Sequence, residues 1–386
     1  MRLGVWPLLV ASLVSVGPDP ANASDPPAVV KNQADHATAF NNQGVAEAQA
    51  GRLESGISLI RQALALNPDD VTSRKNLSGM LTDWAGQLER SGQVEPAVQA
   101  WQEAVQVDPE NGIAYVRLGD VAYLRQGDLD AALRWWPQAH GRVSAVVWQL
   151  VSARLSQAQR DRLIERTFAR HPTPHFDIRY EASRSVDLAA IEQLLEESYA
   201  RLTHLLDATP ARLTVLLYSG DELHRAYQHR DWAPGLYDGR IRLRADELTA
   251  AYLPDMVIHE LTHAFLHDQF GNRLPTWVHE GYAQLQERSR TLTPETARME
   301  QGIQQGTQWI PLKWLDQRFE RPSSPADVAR AYLEARFVVG ELIRRHGEAS
   351  FRRFLEQLAQ GVPVDRAYNT VFAPATWANA DAGHFN

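Results

Sequence analysis

The stretch from Tyr252 to Gln284, YLPDMVIHELTHAFLHDQFGNRLPTWVHEGYAQ, constrains this chain more than any other. Within it, His259, Glu260 and His263 spell H-E-x-x-H. On a helix, side chains four residues apart share one face, one turn above the other. Two imidazoles so placed can both reach a single metal ion at about 2.0–2.1 Å from each ring nitrogen. Glu260 is then held beside the ion, where it can take a proton from a bound water. A second apolar-periodic run, TWVHEGYAQLQE, follows, and Glu280, seventeen residues after His263, can supply a third ligand. Three protein ligands leave a fourth position open to water, the pattern of a catalytic rather than a structural zinc site. One Zn2+ per chain is therefore expected.

The surroundings fit a helix. Pro254 and Asp255 suit a first turn. Val257, Ile258, Leu261, Ala264 and Phe265 make an apolar face, and Gly271 and Asn272 suit the stop. Taken together, HELTHAFLHDQF and LPTWVHEGYAQL resemble the gluzincin, or thermolysin-like, branch of zinc metallopeptidases, which pairs an H-E-x-x-H helix with a downstream W-x-x-E-G helix. The likeness covers residues 172–372. It implies His259, His263 and Glu280 as zinc ligands, Glu260 as general base, and hydrolysis of peptide bonds. It also implies that Tyr332, in AYLEARFVVGELIRRHG, donates a hydrogen bond to the developing oxyanion. The absence of the G-x-M-E-N stretch of the aminopeptidase branch favours an endopeptidase. One position departs from the family: Gln284 stands where many members carry a carboxylate that orients a ligating His, and it lacks the charge that raises ligand basicity. His267 is a turn too far along the axis to share the ion, and His279, next to Glu280, is expected at the rim.

The chain has 386 residues, enough for two or three domains, and a net charge of −8 that gives no electrostatic case for nucleic acid or anionic membrane. Residues 1–23 read as an export signal: Arg2, an apolar run from Leu3 to Val16, then Ala21-Asn22-Ala23 as a cleavage site. The expected location is periplasmic or extracellular, with membrane attachment only if that segment is retained. There is no Cys, so no disulfide contributes to stability.

After a Pro- and Ala-rich stretch from Ser24 to about Gln33, expected to be disordered, a repeat appears. Gly44, Gly51, Gly56, Ala63 and Pro68 are matched by Ala85, Gly92, Ala97, Ala104 and Pro109, and then by Gly119, Gly127, Ala132 and Ala139. Small residues at these points let two antiparallel helices approach closely. The pattern resembles tetratricopeptide repeats, although Pro68 to Pro109 spans 41 residues, which predicts a longer helix after Pro68. Stacked helix pairs imply a concave face for a peptide or protein partner. Trp84, Trp101, Tyr115, Tyr123, Trp135 and Trp136 are expected mainly in its core.

The predicted fold class is α+β. An α-solenoid at residues 34–143 and a helical linker at 144–171 lead into a metallopeptidase domain at 172–372, followed by a flexible tail at 373–386. In that domain FDIRYE, LTVLLY and GRIRLR read as strands of a small sheet over the H-E-x-x-H helix. GRIRLR (239–244) is expected as an exposed edge that turns its Arg residues outward, and the resemblance implies that such an edge pairs with extended substrate. The competing reading is a non-catalytic scaffold or assembly protein that uses the repeats and keeps a relic metal site.

Overall fold

The computed structural model describes residues 28–181, 187–218, 235–244, 253–287, 294–306, 309–320 and 324–383. The proposed signal at 1–23 lies outside them. The chain divides into two compact units, one ending at Leu163 and the other beginning at Ile164. Among the described residues no helix is long and apolar enough to cross a membrane.

The first unit is built of helices in antiparallel pairs: α1 (Ala28–Gln49) with α2 (Leu53–Leu66), α3 (Val71–Arg90) with α4 (Val94–Val107), and α5 (Gly112–Leu124) with α6 (Leu129–Trp135). The glycines of the repeat do two different jobs. Gly51, Gly92 and Gly127 take φ of +83°, +78° and +61° in the turns within pairs, a region that side chains disfavour. Gly44 and Gly56 instead make the helix crossing, since a Cβ on Gly44 would lie 2.6 Å from Ile60 Cγ1 and one on Gly56 2.7 Å from the Gly44 carbonyl. At 20 residues α3 is longer than α5 at 13, so the extra length falls where the 41-residue spacing put it. Helix formation starts at Ala28, inside the stretch expected to be disordered. Trp101, Trp136 and Tyr123 are buried, while Trp84, Tyr115 and Trp135 pack half-buried against the same cores.

Helix α7 (Ala145–Glu165) ends earlier than the linker expected at 144–171, because Phe168–Pro172 forms strand β1. Its Pro172 is tolerated at the end of an edge strand, where a missing N–H costs no ladder bond. A five-stranded mixed sheet follows in the order β1-β2-β3-β5-β4, with β2 at Phe176–Glu181, β3 at Leu213–Tyr218, β4 at Gly235–Tyr237 and β5 at Ile241–Arg244. Strands β2, β3 and β5 are parallel to one another, and the outer pairs are antiparallel.

Strand β5 is therefore internal, contrary to the sequence expectation for 239–244, and among the described residues the edge on that side is β4. Nor do two of the three arginines of 239–244 face water, Arg244 being half-buried. Arg240 and Arg242 are fully buried. Glu165 accepts from both terminal nitrogens of Arg240 at 2.8 Å, and Asp238 accepts from Arg242 Nε at 3.1 Å. The reason is that the sheet is covered on both faces, as the unbroken apolar run of β3 already implies. Leu213, Val215 and Leu217 enter the main core, and Leu216 and Tyr218 pack with Ile164 and Phe168 on the opposite face.

The main core lies between the sheet and helices α8 (Leu188–Leu206) and α9 (Leu253–Phe270). Helices α10 (Thr276–Gln286), α11 (Pro294–Gln304), α12 (Leu312–Glu320), α13 (Pro325–His346), α14 (Glu348–Ala359) and α15 (Val364–Val371) complete the unit. The expected flexible tail is ordered in part: Trp377–Asp381 forms α16, with Ala380 fully buried and Trp377 packed on the core.

Candidate metal centre

The elements carrying the H-E-x-x-H and W-x-x-E-G motifs are α9 and α10. Gly271, with φ +65°, opens the short 3-10 turn Gly271–Arg273 that reverses the chain between them. Trp277 buries its ring against Phe354. Gly281 brings α10 onto α13 so closely that a Cβ would lie 2.3 Å from the Ala335 carbonyl oxygen. No side chain fits there, which gives the glycine after Glu280 a steric reason.

This packing brings His259, His263 and Glu280 together. The two Nε2 atoms are 3.2 Å apart, and each is 3.4 Å from Glu280 Oε2. Ligands at about 2.0–2.1 Å from one tetrahedral ion are about 3.3–3.4 Å from each other, so the triangle has the size of three zinc ligands. Two further observations fit a cation. Glu280 Oε2 is buried and, among the described residues, has no hydrogen-bond partner, a costly arrangement for a carboxylate oxygen. The paired imidazole nitrogens also face one another, which two neutral acceptor atoms do not favour.

The charges around this point agree. Burial opposes a charged ring at His259, yet Glu280, Glu287 and Glu260 raise it well above its ordinary value. Burial likewise pushes the Glu280 carboxyl up, but His263 and His259 hold it well below the usual range. Three carboxylates around two imidazoles favour positive charge at their centre.

Glu287, which the sequence reading missed, orients His259. It stands immediately after α10, and its Oε1 lies 2.8 Å from His259 Nδ1. A ring proton on Nδ1 would be held by that bond, which would leave Nε2 for an ion, and the carboxylate raises the basicity of the ring. The charge that Gln284 lacks thus comes from three residues further on. Gln284 itself accepts from Arg336 Nη1 at 3.2 Å through its main-chain carbonyl.

Glu260 is 7% exposed and wedged beneath the edge strand. A Cβ on Gly235 of β4 would lie 2.8 Å from Glu260 Oε1. His267 lies outside the triangle and packs against Tyr237 at 5.7 Å. His279, half-buried and outside the triangle, sits beside it with its ring 5.8 Å from that of His263. Tyr332 is half-buried on α13, three residues before Ala335, with its ring edge-on to Phe319 at 5.1 Å.

Among known families, the tetratricopeptide repeat matches residues 28–71 and 83–136. The N-terminal unit therefore contains tetratricopeptide repeats, a class of helical repeat suited to protein binding. No curated protein matches the chain.

Proposed function

We propose that this chain is an exported zinc-dependent metallopeptidase of thermolysin-like type, with a tetratricopeptide unit that holds a protein or peptide partner. The observation that carries the reading is the His259–His263–Glu280 triangle, with edges of 3.2, 3.4 and 3.4 Å. When bound, zinc would supply a Lewis acid that polarises a carbonyl and lowers the pKa of water.

The chain's own residues divide the remaining work. Glu260, almost closed off from solvent, takes a proton from the attacking water and returns it to the leaving amine. Glu287 fixes the tautomer of His259. Tyr332 is assigned as a hydrogen-bond donor to the developing oxyanion. Strand β4 pairs with β5 on one side and lays its face over Glu260 at Gly235; its other edge, unpaired among the described residues, suits an extended substrate backbone held by strand addition.

Elemental mass spectrometry of the purified protein tests the centre and is expected to give one zinc per chain. Glu260→Gln should then keep its zinc while hydrolysis of fluorescein-labelled casein falls at least about 100-fold. Undiminished hydrolysis in that variant removes Glu260 from the mechanism. A protein that takes up no zinc leaves the scaffold reading in its place.

A further inference from the structure

Helix α10 carries Glu280 but caps neither of its own ends. Pro275, at its N-cap, offers no side-chain acceptor. Charged side chains from three other helices hold it instead. At the start, Asp316 of α12 accepts from the Trp277 N–H at 3.0 Å. At the end, Arg336 of α13 donates to the Gln284 carbonyl at 3.2 Å, and Arg201 of α8 donates to the Gln286 carbonyl at 3.1 Å. An anion at the first turn and cations at the last complement the helix dipole. A helix of 11 residues has little stability of its own, so these external caps set where it lies.

Helix α12 is anchored in the same way, one step further out. Asp381, the last residue of α16, accepts from the Lys313 N–H at 2.9 Å and pairs with Lys313 Nζ at 3.1 Å. Its main-chain carbonyl accepts from Trp309 Nε1 at 2.9 Å. The C-terminal helix thus caps α12, α12 caps α10, and α10 presents Glu280 one turn from the capped end.

We propose that Asp316, with Asp381 behind it, is a positioning residue for the metal ligand Glu280, so that the last helix of the chain tunes the affinity of the metal centre. The inference rests on the metal reading above. Without Asp316 the first turn of α10 frays, and Glu280 loses the fixed position that completes the ligand triangle.

The test is the zinc dissociation constant of the full chain, measured by competition with a chromogenic chelator. Thermal melting of the zinc-free protein is recorded alongside. Asp316→Ala is expected to weaken zinc binding about tenfold, as losses of outer partners typically do. Asp381→Ala should weaken it by a smaller factor, about threefold by the same reasoning. Asp316→Asn, which keeps an acceptor oxygen, should recover most of the affinity. A purely structural role would lower the melting temperature and leave zinc binding within about twofold of wild type, which would overturn the proposal. If Asp316→Ala does not fold, Asp381→Ala decides between the same two outcomes. Wild-type protein that binds no zinc would overturn the metal reading and this inference with it. Wild-type binding with unchanged variants would overturn the inference alone.

Discussion

Glu334 lies in the middle of α13, fully buried, and the proposed reaction gives it no task. Its Oε1 accepts from the Ile310 N–H at 2.8 Å, its Oε2 has no hydrogen-bond partner among the described residues, and Arg330 Nε is 4.0 Å away. Burial pushes this carboxyl up to about 8, against the smaller opposing pull of Ile310 and Arg330. The sign of the consequence follows from proton counting. Between its ordinary value of 4.5 and about 8, the folded protein holds a proton that the unfolded chain has released. Folding then takes up a proton, so stability falls as pH rises through that window. One pH unit corresponds to about 1.4 kcal/mol, which makes the loss from pH 5 to pH 8 roughly 2–4 kcal/mol. Glu334→Gln keeps an acceptor for Ile310 and binds no proton. Chemical denaturation of the zinc-free wild type and variant at intervals from pH 5 to pH 8 should therefore give curves that diverge, with the variant gaining relative stability at high pH. Parallel curves, or divergence in the opposite sense, would refute the assignment of a neutral buried acid.

Glu287→Ala removes the partner of His259 Nδ1 and should weaken zinc binding about 10–100-fold in chelator competition, whereas Gln284→Ala, at the position where many thermolysin-like peptidases carry a carboxylate, should change it much less. Gly281→Ala drives a methyl against the Ala335 carbonyl; about 1–3 kcal/mol of stability should be lost in denaturant titration, together with zinc affinity. Tyr332→Phe should reduce kcat of peptide hydrolysis by about 100-fold with little change in KM if the hydroxyl acts on the oxyanion, and full turnover would remove it from the mechanism.

The parts of the site that obey a period were legible in the sequence. Spacing puts His259, Glu260 and His263 on one apolar helical repeat, and the resemblance to thermolysin-like peptidases joins to them Glu280 on a second one. Glu287 was not legible, because it stands past the end of α10, where no periodicity marks which way a side chain points. The short strands were missed for a similar reason: Gly235–Tyr237 is too brief to show alternation, and Phe168–Pro172 ends in a residue that argues against a strand. Alternation normally implies a wet face, so the sequence of 240–244 predicts solvated arginines. The correcting signal was nearby, in LTVLLY, whose continuous apolar run means that the sheet has no wet face at that position. In the N-terminal unit the small residues announced both the helix pairs and their turns. The order at 377–381 was hidden in a segment of mostly small, polar residues, where only Trp377 signals a buried contact.

The salt-bridged face of the sheet also decides where the second unit begins. Glu165 closes α7, yet it bonds to Arg240 at 2.8 Å and to Arg179 at 2.9 Å, both deep in the sheet. A fragment cut at residue 172, where the sequence places the boundary, would discard this carboxylate and the strand that shelters it. Two guanidiniums would then lose a buried counter-charge, at a cost of about 3–5 kcal/mol for a pair so broken. The smallest self-sufficient form of the unit is therefore set by an electrostatic debt seven residues upstream of the proline that marks its apparent start, and must include Glu165.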